Sequence, residues 1–393
     1  MKKVAFILKG ITFLRSLGPL IYFSNDAGIL PVVISIKNRK GKEYDSIKTK
    51  ENLFSRLPLK SLQERKFTYE TYFVDDENDI PELLRYLKIE NICCQDSFNH
   101  HPALSEFKDF RIFSISAFFD TIHLARQPSK LTNIPYKVYF PNKMLEAMFK
   151  EKSGINLNSC AIGSPWYDHA LFVKQAKRDR KSVLFLTPDH RSLAPGLCEE
   201  ITEFSIYCKE NNIDFWIKDR VKAPWPKKFT PVKSQWTGNH GEYGFPYTSM
   251  QMIINSDIHI TSYGTSIFEA LYLKKPVINL ETCEHEQQHH TKLLKELNAS
   301  NERFSHLSKD ELEIVKAFLL NPHPFGLNGE VKKMGIDELF NNSLCKTIEK
   351  GLIKTYEDLN SEIDPSLGKS LEITMTNNNS LAILKDILKE TSG

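Results

Sequence analysis

"HITSYGTSIFEALYLKKPVI", residues 259–278, decides how the chain is read. An apolar run leads into a loop of small residues and then an apolar-periodic segment with one carboxylate, Glu269. Lys274, Lys275 and Pro276 follow, before a second apolar run. Strand, tight loop, helix and strand make up the repeating unit of a parallel α/β sheet. Ligands of such sheets lie outside the carboxyl ends of the strands. Gly264 allows a sharp turn and a close approach of the backbone to a ligand. Ser262, Thr265 and Ser266 offer hydroxyls and main-chain N–H groups at the start of the helix, where a phosphate would be held. Glu269, one turn further in, is placed to meet a sugar hydroxyl. The same residues also serve as an ordinary helix start, with Ser and Thr as caps and Glu269 answering the helix dipole. Neither G-x-G-x-x-G nor G-x-x-x-x-G-K-[ST] occurs, so the common dinucleotide and P-loop readings lose support.

Working outward, 393 residues are too many for one ordinary core and suit two domains. Hydrophobic residues at 41% and charged residues at 26% belong to a globular protein. The net charge of +3 is spread among interspersed acids and bases, which argues against a nucleic-acid partner. Seven cysteines without framework spacing suit a reducing compartment. The N-terminal stretch imitates a signal peptide, but Lys9 and Arg15 interrupt it and no small-residue cleavage site follows. A buried strand over residues 4–8 is the better reading. With no apolar run of eighteen residues, the expected location is cytoplasmic, with the inner face of the cytoplasmic membrane as a further option.

Short apolar runs alternate with helix-period segments along most of the chain. "VAFIL", "LPVVISI", "ETYFV", "IENICC", "RIFSISAF", "KVYFP" and "SCAIG" form a first set of strands. "VLFLTP", "DFWIKD", "IHIT" and "PVINLE" form a second. Buried strands separated by helices predict parallel sheets covered on both faces. The division expected is 1–168, 169–330 and a helical extension over 331–393, with a linker near 165–180. The last segment, "SLAILKDILKE", gathers Leu381, Ile383, Leu384, Ile387 and Leu388 on one helical face. That face suits packing on the protein itself or in a dimer, or contact with a membrane surface.

The segment "SDIHITSYGTSIFEALYLKKPVINLE" (256–281) resembles the nucleotide-binding segment of GT-B-fold glycosyltransferases. The bacterial surface-polysaccharide and CDP-glycerol glycerophosphotransferase-like groups are the nearest in character. It is also similar to the corresponding segment of UDP-N-acetylglucosamine 2-epimerases. "GSPWYD" (163–168) resembles the Gly-(Asn/Ser)-Pro-x-x-Asp signature that closes the N-terminal domain of that fold. The resemblance implies two Rossmann-like doubly wound domains facing across a cleft. It also implies phosphate roles for Gly264, Thr265 and Ser266 and a ribose role for Glu269. Many of the polysaccharide enzymes carry Lys-x-His-Pro after the second strand of the C-terminal domain. Here Lys218 stays, but Asp219 and Arg220 stand where His-Pro is expected; Arg220 still suits a diphosphate. Arg191, in "TPDHRS", is a second phosphate candidate, with a surface ion pair as its alternative. His240, Glu242 and Tyr247, in the Gly-rich "GNHGEYGFPYTS" (238–249), are placed to hold the base or sugar of a donor.

Glycosyl transfer needs a clamp on the leaving phosphate and, in inverting enzymes, a base for the acceptor hydroxyl. Asp120 and His123, in "SISAFFDTIHLAR" (114–126), are the base candidates. His100 and His101 follow another strand on the acceptor side, and Gly10 and Arg15 border the first strand–helix loop. His285 and His289 have the spacing of a helical zinc pair, and "HEQQH" formally matches H-E-x-x-H. The stretch follows a strand where the fold calls for a loop, so no metal is expected. The function implied is a glycosyltransferase moving a sugar or polyol phosphate from a CMP-, CDP- or UDP-linked donor. That nucleotide-activated donor is a co-substrate, and no other cofactor is called for. The acceptor is a glycan or lipid-linked glycan of lipopolysaccharide, capsule or teichoic-acid type. The alternatives are a sugar-nucleotide 2-epimerase of the same fold and a non-catalytic nucleotide- or glycan-binding protein.

Overall fold

The computed structural model describes residues 1–37, 47–55, 65–95, 107, 109–116, 135–141, 143, 146, 150, 158–173, 175, 178–187, 195–219, 225–227, 229–235, 247–261, 266–280, 344–348, 351–362 and 378–392. The chain divides into two compact units. The first comprises Met1–Phe172, His240–Thr248 and Asn377–Gly393; the second comprises Val173–Asn239 and Ser249–Thr376.

The first unit is built on β1 (Lys2–Leu8), β2 (Ile29–Ile36), β3 (Glu70–Val74), β4 (Asn91–Gln95), β5 (Arg111–Ile115), β6 (Lys137–Phe140) and β7 (Ser159–Ala161). They form one sheet in the order β3-β2-β1-β4-β5-β6-β7, with every pair parallel. The period of two along β1 sorts its side chains between two cores. Val4, Phe6 and Leu8 join one with Leu14, Leu17, Leu20 and Ile21 of helix α1 (Leu14–Phe23). Ala5 and Ile7 join the other, with Ile80 and Leu84 of α3 (Ile80–Tyr86); α2 (Lys50–Phe54) is a short helix between them in the chain. Both faces are therefore covered, which is why these strands read as nearly unbroken apolar runs.

The second unit holds β8 (Ser182–Leu186), α4 (Pro195–Glu210), β9 (Asp214–Lys218), α5 (Tyr247–Ile254), β10 (Ile258–Thr261), α6 (Ser266–Tyr272) and β11 (Val277–Leu280). α5 begins in the short stretch His240–Thr248 grouped with the first unit. Residues expected to be helical supply one more strand, β12 (Cys345–Ile348), followed by α7 (Leu352–Glu362). The sheet order is β12-β11-β10-β8-β9, again all parallel, and β12 extends it with Val277 opposite Cys345 and Leu280 opposite Ile348. Four residues are too few to display a period, so this strand was hidden among helix formers. Tyr356 and Leu359 of α7 pack with Ile201 and Phe204 of α4 on the core of Val183, Phe185, Ile258 and Ile278.

Two further expectations change. Residues 165–172 are not linker: they form a 3-10 turn with Pro165, Trp166, Tyr167, Asp168, His169 and Ala170 buried. The charged residues just beyond had lent this aromatic stretch a linker's composition. The last helix, α8 (Asn379–Ser392), packs on the first unit, and Ile383, Leu384 and Ile387 are wholly buried in the core beside α1. The apolar face that suited a membrane surface is covered by the protein itself. Among the described residues no helix is long and apolar enough to cross a membrane.

Candidate functional site

Each sheet has one place where the strand order reverses, and crevices for ligands open outside the carboxyl ends there. In the second unit β8 is followed by β9 on one side and by β10 on the other, so the reversal lies between β8 and β10. β10 ends and α6 begins at that point, with residues 262–265 between them in the chain. Thr261 closes the strand and Ser266 opens α6; both are buried, and the Ser266 hydroxyl donates to Thr261 Oγ1 at 3.2 Å. This bond ties the helix start to the strand end. It engages the hydroxyl proton of Ser266 within the protein. Glu269 lies in the first turn of α6 and is 5% exposed, well inside the unit. Ser262, Gly264 and Thr265 lie outside the described residues.

Lys218 ends β9 directly beside β8, paired with Leu186. Its carbonyl accepts from both the amide and the hydroxyl of Thr187, each at 3.3 Å, which locks the two strand ends together. Asp219 follows, and its carboxylate accepts the Trp225 amide at 3.3 Å. Tyr247 is the first residue of α5. Arg191, Arg220, His240 and Glu242 lie outside the described residues. His259, in the middle of β10, is fully buried and pushed down to about 3 by burial, so it is a neutral core residue.

In the first unit the reversal lies between β1 and β4, which are paired neighbours. Gly10 follows β1 in extended backbone and its carbonyl accepts from Phe13 at 3.1 Å. Lys9 pairs with Glu77 beyond β3 at 2.9 Å. Arg15, in the first turn of α1, is half-buried with its guanidinium 4.2 Å from the ring centroid of Trp166. His169 Nε2 stands 2.7 Å from the Arg15 carbonyl. Burial pushes His169 down to about 3, so the ring is neutral and Nε2–H donates to that carbonyl. The candidates after β4 and β5 (His100, His101, Asp120 and His123) lie outside the described residues, as do His285 and His289. Among the described residues no group of His, Cys, Asp and Glu could hold a metal ion.

The structure gives the Gly-Ser-Pro-Trp-Tyr-Asp stretch a role that sequence reading missed: it receives the N-terminus of α8. Asp168, 1% exposed, accepts the Asn379 amide at 3.1 Å and the Ser380 amide and hydroxyl at 2.6 and 2.5 Å. Gly163 has φ +126°, and a Cβ there would collide with the Asn379 side-chain amide, which donates to the Ser164 carbonyl at 3.2 Å. Burial pushes the Asp168 carboxyl up to about 7 against those hydrogen bonds. The far end of α8 is held as firmly. Lys137 Nζ lies 2.8 Å from Asp386 and 2.7 Å from Glu390, and the Tyr139 hydroxyl donates to Asp386 at 2.8 Å. Burial alone would push Lys137 down, but its bonds to the two carboxylates outweigh that and hold it above its ordinary value. A partner 212 positions away in sequence gives no local signal, so the aspartate could be singled out but not its partner.

No family model matches the chain, and no curated protein does. Solved structures with a similar fold include the glycosyltransferase of kitacinnamycin, at 11% identity and TM-score 0.48 over 99% of this chain and 97% of that one. A putative UDP-N-acetylglucosamine 2-epimerase from Listeria monocytogenes is 10% identical, with TM-score 0.47 over 89% and 99%. The wall teichoic acid polymerase TagF is 11% identical, with TM-score 0.47 over 99% and 90%. Residue roles in this chain rest on its own sheet topology and side chains.

Proposed function

We propose that the chain is a glycosyltransferase that uses a nucleotide-activated sugar or polyol phosphate. The observation that carries this reading is the β10–turn–α6 unit at the reversal point of the second, all-parallel sheet. There β10 ends in Thr261 and α6 begins at Ser266, the sequence between them carries the small residues Gly264 and Thr265, and Lys218 ends the strand on the other side of β8. The turn's main-chain N–H groups and Thr265 would hold the donor's phosphates, with Lys218, Arg191 and Arg220 supplying positive charge. Glu269 would serve the ribose, and His240 and Tyr247 the base or sugar. The acceptor would lie on the first unit, at the reversal point between β1 and β4, where Gly10 follows β1, Arg15 opens α1 and His100 and His101 come after β4 in the sequence.

The chemistry follows from those roles. The acceptor hydroxyl oxygen forms a bond to the anomeric carbon, or to phosphorus for a polyol phosphate. The bond to the leaving nucleotide phosphate breaks and its electron pair departs with that phosphate. The hydroxyl proton passes to Asp120 or His123. A surface glycan of lipopolysaccharide, capsule or teichoic-acid type is the acceptor class that fits this reading. Thermal unfolding with CMP, CDP, UDP and GDP tests it, because a ligand that binds the folded state raises the midpoint by mass action. One of these nucleotides should raise the midpoint, and NAD should not; a response to NAD alone would overturn the proposal.

A further inference from the structure

Acids and bases are interspersed along most of the chain, and the crossover between β2 and β3 is the exception. Residues 37–66 hold ten Lys and Arg against four Asp and Glu, a net +6, so the rest of the chain carries −3 of the total of +3. The two ends of this crossover meet over a layer of aromatic rings. At the near end Thr49 caps α2 by accepting the Asn52 amide at 3.1 Å, and Leu53 and Phe54 anchor the helix in the core. At the far end the Asn25 side chain holds Thr68, accepting its amide at 2.7 Å and donating to its carbonyl at 3.0 Å. Tyr69 joins the two ends, its ring centroid 4.7 Å from that of Phe54 and 5.8 Å from that of Phe67. Lys50 Nζ stands 4.9 Å from the centroid of Tyr69, and the Arg65 guanidinium 4.8 Å from that of Tyr22. Lys48, Lys50, Arg65 and Lys66 are all exposed. Arg65 pairs with Asp26 at 2.8 Å, whereas among the described residues no carboxylate pairs with Lys48, Lys50 or Lys66.

Exposed ammonium groups without counter-ions project a positive field into the solvent, and here they stand on a base held by hydrogen bonds and core packing. One face of Tyr69 and one of Tyr22 already carry a cation of the protein itself. These rings therefore support the charges and leave those faces closed to the stacking of a base or a sugar. A broad surface of many negative charges is the partner that such a patch fits. We propose that this edge of the first unit, around Lys48, Lys50, Arg65 and Lys66, docks onto an anionic lipid bilayer. Basic side chains are drawn to an anionic leaflet, and aromatic rings among them suit the headgroup region. The apolar face of α8 is buried, so attraction between charges, rather than insertion of that helix, would hold the protein there. The binding is then sensitive to salt. The inference stands apart from the transferase reading, since vesicle binding is measured with no nucleotide present.

The test is sedimentation of the full-length chain with vesicles of phosphatidylcholine alone and of phosphatidylcholine mixed with phosphatidylglycerol. Wild type should bind the mixed vesicles at about 0.1 M salt, release them at about 0.5 M, and ignore the neutral ones. Replacing Lys48, Lys50 and Lys66 together by Gln should weaken binding by roughly fivefold per lysine, on the order of a hundredfold in all. The same three positions changed to Arg should bind like wild type, a rescue that follows charge and not packing. Changing Lys209, Lys227 and Lys354 to Gln, all exposed on the second unit, should leave binding within about twofold of wild type. Melting temperatures of all four proteins check that each is folded, and the Arg variant carries the comparison if the Gln variant is not. Equal binding to neutral and mixed vesicles, no binding to either, or a Gln variant that binds like wild type would overturn the proposal. So would equally tight, lysine-dependent binding to poly(U) RNA at matched phosphate concentration, which would assign the surface to nucleic acid.

Discussion

Replacing Asp168 should unfasten the C-terminal helix from the first unit, and the size of the effect follows from the bonds it makes. The first turn of α8 has its free N–H groups fully answered. Those of Asn379 and Ser380 go to Asp168, that of Leu381 to Asn378 Oδ1 at 2.8 Å, and that of Ala382 to the Asn378 carbonyl at 3.2 Å. Asp168→Ala strands two of these amides and the Ser380 hydroxyl in a buried place, for a loss of about 2–4 kcal/mol. For a unit of this size that is on the order of 10 °C in the melting of the first unit. The pH dependence is a sharper signature. The carboxyl is pushed up to about 7 from 3.8, so between those values the folded state keeps a proton that the unfolded chain releases. Its contribution to stability is therefore greatest below pH 3.8 and declines as pH rises to about 7, by up to about 1.4 kcal/mol per pH unit. His169 and His259 oppose this trend below pH 6.5, because both are pushed down to about 3 and stay neutral when folded. The measurement is thus a difference: urea unfolding of wild type and Asp168→Asn from pH 4 to 8, the variant retaining an acceptor but not titrating. The stability of wild type relative to the variant should fall as pH rises through that window. A constant difference, or an Asp168→Ala variant within about 0.5 kcal/mol of wild type, would refute the reasoning.

Gly163→Ala should cost about 2 kcal/mol through its φ of +126° and its collision with Asn379. The double variant with Asn379→Ala should recover the steric part but not the backbone part, as read from denaturation midpoints. Lys137→Ala leaves Asp386 and Glu390 facing each other without their shared ammonium, and should lower the first unit's stability by about 2 kcal/mol in the same assay. Truncation before residue 378 should expose the core that α8 covers and give a chain that binds a hydrophobic dye. The intact chain should show no binding to anionic vesicles that depends on α8. Ser266→Ala should cost about 1 kcal/mol by untying α6 from Thr261. It should change nucleotide affinity less than Thr265→Ala does.

The runs that became β1 to β11 were legible because both faces of each sheet are covered, so burial left nearly continuous apolar stretches between helical periods. β12 was not, since a four-residue edge strand carries no usable period. Gly264 and the hydroxyl residues around it marked the stretch after β10 as a candidate ligand turn, and α6 does begin where they end. The internal use of the Ser266 hydroxyl did not, because Thr261 and Ser266 look alike as caps or as ligand contacts. Asp168, Lys137 and Tyr139 all find partners in α8, more than 200 residues further along the chain. Such pairings depend on the fold as a whole, and no local spacing encodes them. The Trp166 platform under Arg15 was hidden for the same reason, since 151 positions separate the two side chains in the sequence.

The central claim is that the turn after β10 holds a nucleotide's phosphates, and calorimetric titration of UDP, CDP, CMP and GDP into wild type and Thr265→Ala tests it most directly. One nucleotide should bind wild type, and the variant should bind it roughly ten- to hundredfold more weakly, for a lost charge-assisted bond of about 1.5–3 kcal/mol, with little change in melting temperature. Equal affinity for the two proteins, or no binding of any of the four to wild type, would contradict the claim.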